Sequence, residues 1–226
     1  MQEISERQPI DFHKQLLKVL KARYQLSFNS DNSLPMLFLV QHYREQFEPD
    51  DATGRRSAIN QLVDEAIGRL RALDEDAANI IEWRFVDEKS VEELIDQSKG
   101  ESRHLFMPKQ RAALKQLATI IWDLEIAHRK KVRQQVSQTI PQRIHGQLVG
   151  IDELVETVTT HLLDEENRNP IIIHGIGGIG KTALAETAVS QLVHQLAFTQ
   201  VAWVTVQNSA LSNGRLDLDS LIEPII

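Results

Sequence analysis

Apolar side chains recur at three- and four-residue intervals along most of the first 137 positions. They then give way to short β-branched runs punctuated by glycine. The first pattern is that of helices showing one greasy face, the second that of strands feeding tight turns. Ile10, Leu16, Leu17, Leu20 and Tyr24 predict an amphipathic helix over 9–26, and a second helix is expected over 35–47 with Pro35 in its first turn. Residues 48–54 read as a loop. Ile59, Leu62, Val63, Ala66, Ile67, Leu70 and Leu73 give the cleanest helical period of the chain, and a short helix follows over 76–85. Ser90 and Glu93 have the spacing of a capping box, in which each side chain satisfies an orphan backbone donor of the other, so a helix should open there and run through Ile95. Residues 97–107 read as loop or irregular helix. Pro108 then suits the first turn of a long helix carrying Leu114, Leu117, Ile121, Leu124 and Ala127 and ending near Gln138. Residues 138–146, with Pro141, have the composition of a linker.

Beyond the linker the pattern changes. Ile171, Ile172 and Ile173 read as a buried parallel strand. Leu184, Ala185, Ala188, Val189, Leu192, Val193 and Leu196 read as a helix. Between them lies Gly175-Ile176-Gly177-Gly178-Ile179-Gly180-Lys181-Thr182, which fits G-x-x-x-x-G-K-[ST]. Each fixed position has a mechanical reason. Glycines let the backbone turn its N–H groups inward as a nest for phosphate oxygens. The following helix adds unpaired amides, Ala183 included, and the positive end of its dipole. Lys181 brings a full charge for β- and γ-phosphates, and Thr182 a hydroxyl for Mg²⁺. The expected ligand is ATP or ADP with Mg²⁺.

Composition narrows the choices. The chain has 226 residues, 42% of them apolar and none of them cysteine, so it is globular and holds no disulfide, thiolate metal site or cysteine nucleophile. That fits a reducing cytoplasm. The longest apolar run, Leu34 to Val40, is too short to cross a bilayer. The net charge of -7 is unevenly spread, because residues 99–145 are strongly basic between two acidic flanks. A basic middle is either an exposed helix face with its linker or a polyanion contact. The eight histidines show no metal-ligand spacing, His174 reads as a strand-end packing residue, and Trp83, Trp122 and Trp203 read as core anchors.

From Gln147 the chain resembles the STAND class of signalling ATPases, in particular their NB-ARC domains. The text that carries the resemblance is Leu148-Val149-Gly150-Ile151-Asp152-Glu153-Leu154, the glycine loop continued by Ala183-Leu184-Ala185, and Val201-Ala202-Trp203-Val204-Thr205-Val206. The resemblance implies that Val149 and Gly150 lie against the adenine and that the resting state holds ADP. The family often has arginine after that glycine, where this chain has Ile151. Residues 183–226 hold one helix and one further strand, without the aspartate-ending strand that triphosphate hydrolysis needs. The expectation is therefore the N-terminal part of a longer ATPase, inactive in hydrolysis as it stands.

Residues 70–117 resemble the helix-turn-helix of sigma-factor region four, with the helix-turn-helix-like segment itself over 74–117. The resemblance rests on Leu73 through Arg84-Phe85, Ser90-Val91-Glu92-Glu93-Leu94, Ser102-Arg103 and Ala113 through Leu117. It implies a capped helix across the DNA backbone and a following helix in the major groove, with Arg103, Lys109, Arg111 and Lys115 as candidate DNA contacts. Pro108 and Lys109 depart from that pattern.

The fold expected is an all-α domain over 1–137, a linker over 138–146, and over 147–226 the start of an α/β P-loop domain whose parallel sheet is truncated. The function expected is a nucleotide-gated signalling switch, with the helical domain as output module and with protein partners or self-assembly in the longer protein. The alternatives are a DNA-binding regulator and a protein-interaction adaptor. No membrane partner is expected.

Overall fold

In the computed structural model the described residues are 8–22, 34–47, 52–97, 102–141, 149–164, 166, 169–204, 211–212 and 215–216. The chain divides into two compact units, Met1–Arg129 and Lys130–Ile226.

The first unit is built from α1 (Phe12–Lys21), a 3₁₀ turn (Leu34–Met36), α2 (Phe38–Arg44), α3 (Ala52–Leu73), α4 (Glu75–Phe85), α5 (Val91–Gln97) and the larger part of α6 (Arg103–Thr139). One continuous core joins Phe12, Leu16, Val19 and Leu20 of α1 to Ile59, Leu62, Val63 and Ala66 of α3, Ile81 of α4, and Leu117, Ile121 and Trp122 of α6. Burying each large side chain contributes on the order of 1.5–3 kcal/mol. A smaller cluster of Val91, Leu94 and Phe106 holds α5 to the start of α6.

Local chemistry sets the helix boundaries. Asp74 caps α4 by accepting from the Ala77 amide at 2.9 Å. The Ser90–Glu93 capping box forms as its spacing predicts: Ser90 Oγ accepts from the Glu93 amide at 3.1 Å, and Glu93 Oε2 from the Ser90 amide at 2.6 Å. Three boundaries differ from expectation. The segment after Pro35 is a 3₁₀ turn, and α2 begins only at Phe38. The reason is distant in sequence: the carboxylate of Glu125, on α6, accepts from the Phe38 and Leu39 amides at 3.0 Å each. Those are two of the orphan donors of α2, whose N-cap Leu37 has no side chain able to serve them. Next, α3 starts at Ala52, so residues 52–54 are helical and Gly54 is buried. Finally, α6 begins at Arg103, with Ser102 accepting the first backbone bonds, and Pro108 lies inside the helix. Proline there deprives the His104 carbonyl of its partner, but His104 is exposed to water. Ile10 and Leu73 face solvent instead of the core, and Tyr24 lies outside the described residues.

The second unit contains the end of α6, α7 (Asp152–Leu163), α8 (Lys181–His194) and a two-residue antiparallel ladder of β1 (Leu211–Ser212) with β2 (Arg215–Leu216). The expected parallel sheet is not seen among the described residues. Ile171–Ile173 forms no strand pairing, and Ile172 is 79% exposed. A parallel strand is stabilised by neighbours on both edges and cover on both faces, and no described strand lies beside this one. Of the expected linker, residues 142–146 lie outside the described residues, whereas 138–141 continue or end α6.

Candidate functional site: the glycine loop and its helix

Two apolar clusters hold the helix that follows the glycine loop. Leu184 and Ala188 pack with Val155 of α7, and Ile151, Val158 and Ile173 close around them. Val193 packs with Val136 and Ile140 of the α6 tail, joined by Val132, Val189, Val201 and Trp203. Ile173 thus ties down the chain just before the loop, and α8 ties down the chain just after it. His174, between Ile173 and the loop, is exposed and packs no strand end.

Gly180 is the N-cap of α8, with φ of 98°. Any residue with a Cβ is strained at that angle, and glycine alone has no side chain to plug the helix end. The first-turn amides of Lys181, Thr182 and Ala183 have no acceptor within the helix; the first backbone bond is Leu184 to the Gly180 carbonyl at 2.9 Å. Gly178, at φ 78°, makes the second left-handed step of the loop. Lys181 folds back across it: its ammonium donates to the Gly175 carbonyl at 3.0 Å and to the Ile176 carbonyl at 2.9 Å. Two of its three donors thus brace the loop, and the third remains for an anion. Thr182 is exposed at the same helix end, and Ile176, Gly177 and Ile179 are exposed along the loop. The arrangement offers a fixed charge, backbone donors and a hydroxyl within one turn of chain.

Among the described residues no group of three or more His, Asp or Glu could hold a metal ion. Mg²⁺ commonly rides on nucleotide phosphates with few protein ligands, and the Thr182 hydroxyl is the residue here that fits such an ion.

The other predicted site residues are placed less uniformly. Gly150 turns the chain at φ 77°, and Val149 before it is 90% exposed. Ile151, where the resembling family often has arginine, is an anchor: it packs into the α7–α8 cluster. The four basic candidates do not share a face. Arg103 pairs with Glu92 of α5 at 2.9 Å. Lys109 lines a groove of about 420 Å³ together with Asp74, Asp76 and Trp83. Arg111 and Lys115, one helical turn apart, are exposed on another side of α6. Of the tryptophans, Trp122 is in the core, Trp203 is half-buried, and Trp83 is 38% exposed with the Lys89 ammonium over its ring.

Sequence reasoning missed the α6 tail as part of this unit. Its signal was present: Val132, Val136 and Ile140 extend the apolar stripe at four-residue steps past Ala127.

The comparisons with known proteins meet this geometry. Residues 151–218 match the NB-ARC domain. Over this segment the chain is similar to NB-ARC, STAND-class proteins. Among its relatives in Arabidopsis thaliana is the probable disease resistance RPP8-like protein 4, 31% identical over 97 residues, which are 43% of this chain and 11% of that protein. Disease resistance proteins RPP8 and RPH8A are each 32% identical over 83 residues, covering 37% of this chain and 9% of theirs. The matched stretch thus spans about a tenth of the length of these curated relatives. No solved structure matches the chain. The NB-ARC match lies wholly outside 74–117, so the helix-turn-helix resemblance rests on its own residues. No described helix is long and apolar enough to cross a membrane.

Proposed function

We propose that this chain carries the phosphate-gripping element of a nucleotide-dependent signalling switch, with ATP or ADP as ligand and Mg²⁺ bound through it. The observation that carries the reading is the joint placement of Lys181 and the first-turn amides at a helix end capped by Gly180. The backbone of 175–183 cradles the phosphates, Thr182 meets the metal ion, and Val149 with Gly150 borders the adenine. A switch follows physically, because a γ-phosphate with its metal adds contacts that only one arrangement of the protein can use. The disease-resistance names of the relatives favour signalling as the purpose, with the helical unit as output module. In this reading Ile171–Ile173 and Val201–Val204 are strand segments of the nucleotide-binding sheet. The lack of cysteine suits a cytoplasmic setting.

The reading does not extend to DNA. Duplex binding needs several cations on one surface, whereas Arg103 is engaged by Glu92 and Lys109 borders two aspartates.

Calorimetry with MgADP and MgATP tests the proposal. Lys181→Ala should weaken binding at least tenfold, which is about 1.4 kcal/mol and at the low end for a lost charged hydrogen bond. Equal affinities of wild type and variant would remove the lysine from its role.

A further inference from the structure

The helix behind the glycine loop is held on two sides, and one of the two holds comes from an unexpected part of the chain. Leu184 and Ala188 seat α8 on α7. Val189 and Val193, also one turn apart, seat it on Val132, Val136 and Ile140 at the tail of α6. Val136, Ile140 and Val193 are buried. The tail is well finished as a helix: Ser137 Oγ donates to the Arg133 carbonyl and Thr139 Oγ1 to the Val136 carbonyl, each at 2.7 Å, and Pro141 prevents continuation. A helix clamped on two faces has a fixed axis. The axis of α8 decides where the amides of Lys181, Thr182 and Ala183 point.

We propose that Val136 and Ile140 are positioning residues of the nucleotide site: seated against Val193, they aim the N-terminus of α8, so nucleotide binding and seating of residues 130–140 are linked. The proposal rests on the glycine loop being the nucleotide site. Linkage is reciprocal. If a seated tail raises nucleotide affinity by some factor, nucleotide stabilises the seated tail by the same factor. Because the tail belongs to the same helix that starts at Arg103, the state of the loop is reported on an element that also carries core residues of the helical unit.

The test uses the whole chain and two readouts. Hydrogen exchange is followed over residues 130–140 with and without saturating MgADP, and MgADP affinity is measured by calorimetry for wild type, Val136→Ala/Ile140→Ala, Val136→Ile and Lys181→Ala. Saturation should slow exchange over 130–140 about fivefold or more, and the double alanine variant should bind about fivefold more weakly or worse, at the low end of ordinary coupling. Val136→Ile, which keeps the apolar contact, should bind as wild type. Exchange over 130–140 that is unchanged at saturation overturns the proposal, even where the double variant fails to fold, since that readout needs no variant. A double variant that folds and binds within twofold of wild type overturns it as well. If wild type binds MgADP and Lys181→Ala does not, while exchange is unchanged, only the positioning role falls. If wild type does not bind MgADP, or Lys181→Ala binds equally well, the nucleotide reading falls and this inference with it.

Discussion

The helical unit and the unit that holds the glycine loop bury their apolar side chains in different ways. In the first, one cluster runs without a break from Phe12 to Leu124, and its members come from α1, α2, α3, α4 and α6. In the second, α8 is gripped by two separate small clusters while Ile172, Ile176 and Ile179 face solvent. The helical unit meets its own needs, because each helix buries its stripe against another helix of the same unit. Among the described residues the second unit has its glycine loop and α8 in place, while the β-branched run Ile171–Ile173 pairs with no strand. Geometry at a helix terminus is set by a few local residues, whereas a parallel sheet exists only when strands distant in sequence are side by side.

The sharpest way to break this contrast is at Glu125. It is fully buried, caps two amides of α2, and accepts from Arg129 Nε at 2.6 Å. The guanidinium of Arg129 also lies 5.4 Å from the ring centres of both Phe38 and Trp122, and its Nη1 is buried without a hydrogen-bond partner among the described residues. Glu125→Ala leaves a buried cation without its anion and two helix amides without their acceptor. The expected loss is about 3–5 kcal/mol, read by urea denaturation of the helical signal. A loss under about 1 kcal/mol would mean that water reaches the pair and that the unit is less closed than its packing indicates.

Paired truncations sharpen the comparison further. Ile121, in the middle of the helical core, has no exposed surface, whereas Ile172 is mostly in solvent. Ile121→Ala should cost about 2–5 kcal/mol by lost transfer energy and the cavity left behind. Ile172→Ala should stay within about 0.5 kcal/mol. Should the two variants lose similar stability in the same denaturation experiment, the face around Ile172 is covered in solution and the contrast disappears.

What could be read from residue order follows the same division. The helices over 59–73 and 76–85 and the capping box at Ser90 were legible because their determinants lie within a few residues of each other. So was the turn ahead of α8, whose left-handed steps fall on Gly178 and Gly180. The start of α2 was not legible, because its cap sits on Glu125, more than eighty residues away. The α6 tail was missed for a related reason. Pro141 drew a linker around itself, while the apolar stripe of Val132, Val136 and Ile140 showed only that some surface must cover it, not that α8 would. The Ile171–Ile173 run read as a strand on its composition, yet composition cannot supply the neighbouring strands.

The smallest expected effect concerns acid, and it too separates the two units. Asp74 is held below its ordinary carboxylate range chiefly by the Ala77 amide, with help from Gln116. Glu93 is lowered by the Ser90 amide and hydroxyl. Both groups cap helices of the first unit. A carboxyl whose folded pKa is depressed favours the folded state at pH values above its unfolded pKa. That contribution fades as pH falls through the folded value, because protonation removes the better acceptor. Acidification from about pH 7 to below about pH 3.5 should therefore lower the melting temperature of the helical unit, with little change above about pH 5. Asp74→Asn separates the charge from the cap. Asparagine accepts from the Ala77 amide through its carbonyl but does not titrate, so this variant should melt slightly below wild type near neutrality and lose less on acidification. If wild type and Asp74→Asn fall by equal amounts as the pH drops, the carboxylate at the α4 cap has no share in the acid sensitivity of the helical unit. That sensitivity must then come from elsewhere, with the Glu93 carboxyl at the Ser90 capping box the next group to replace.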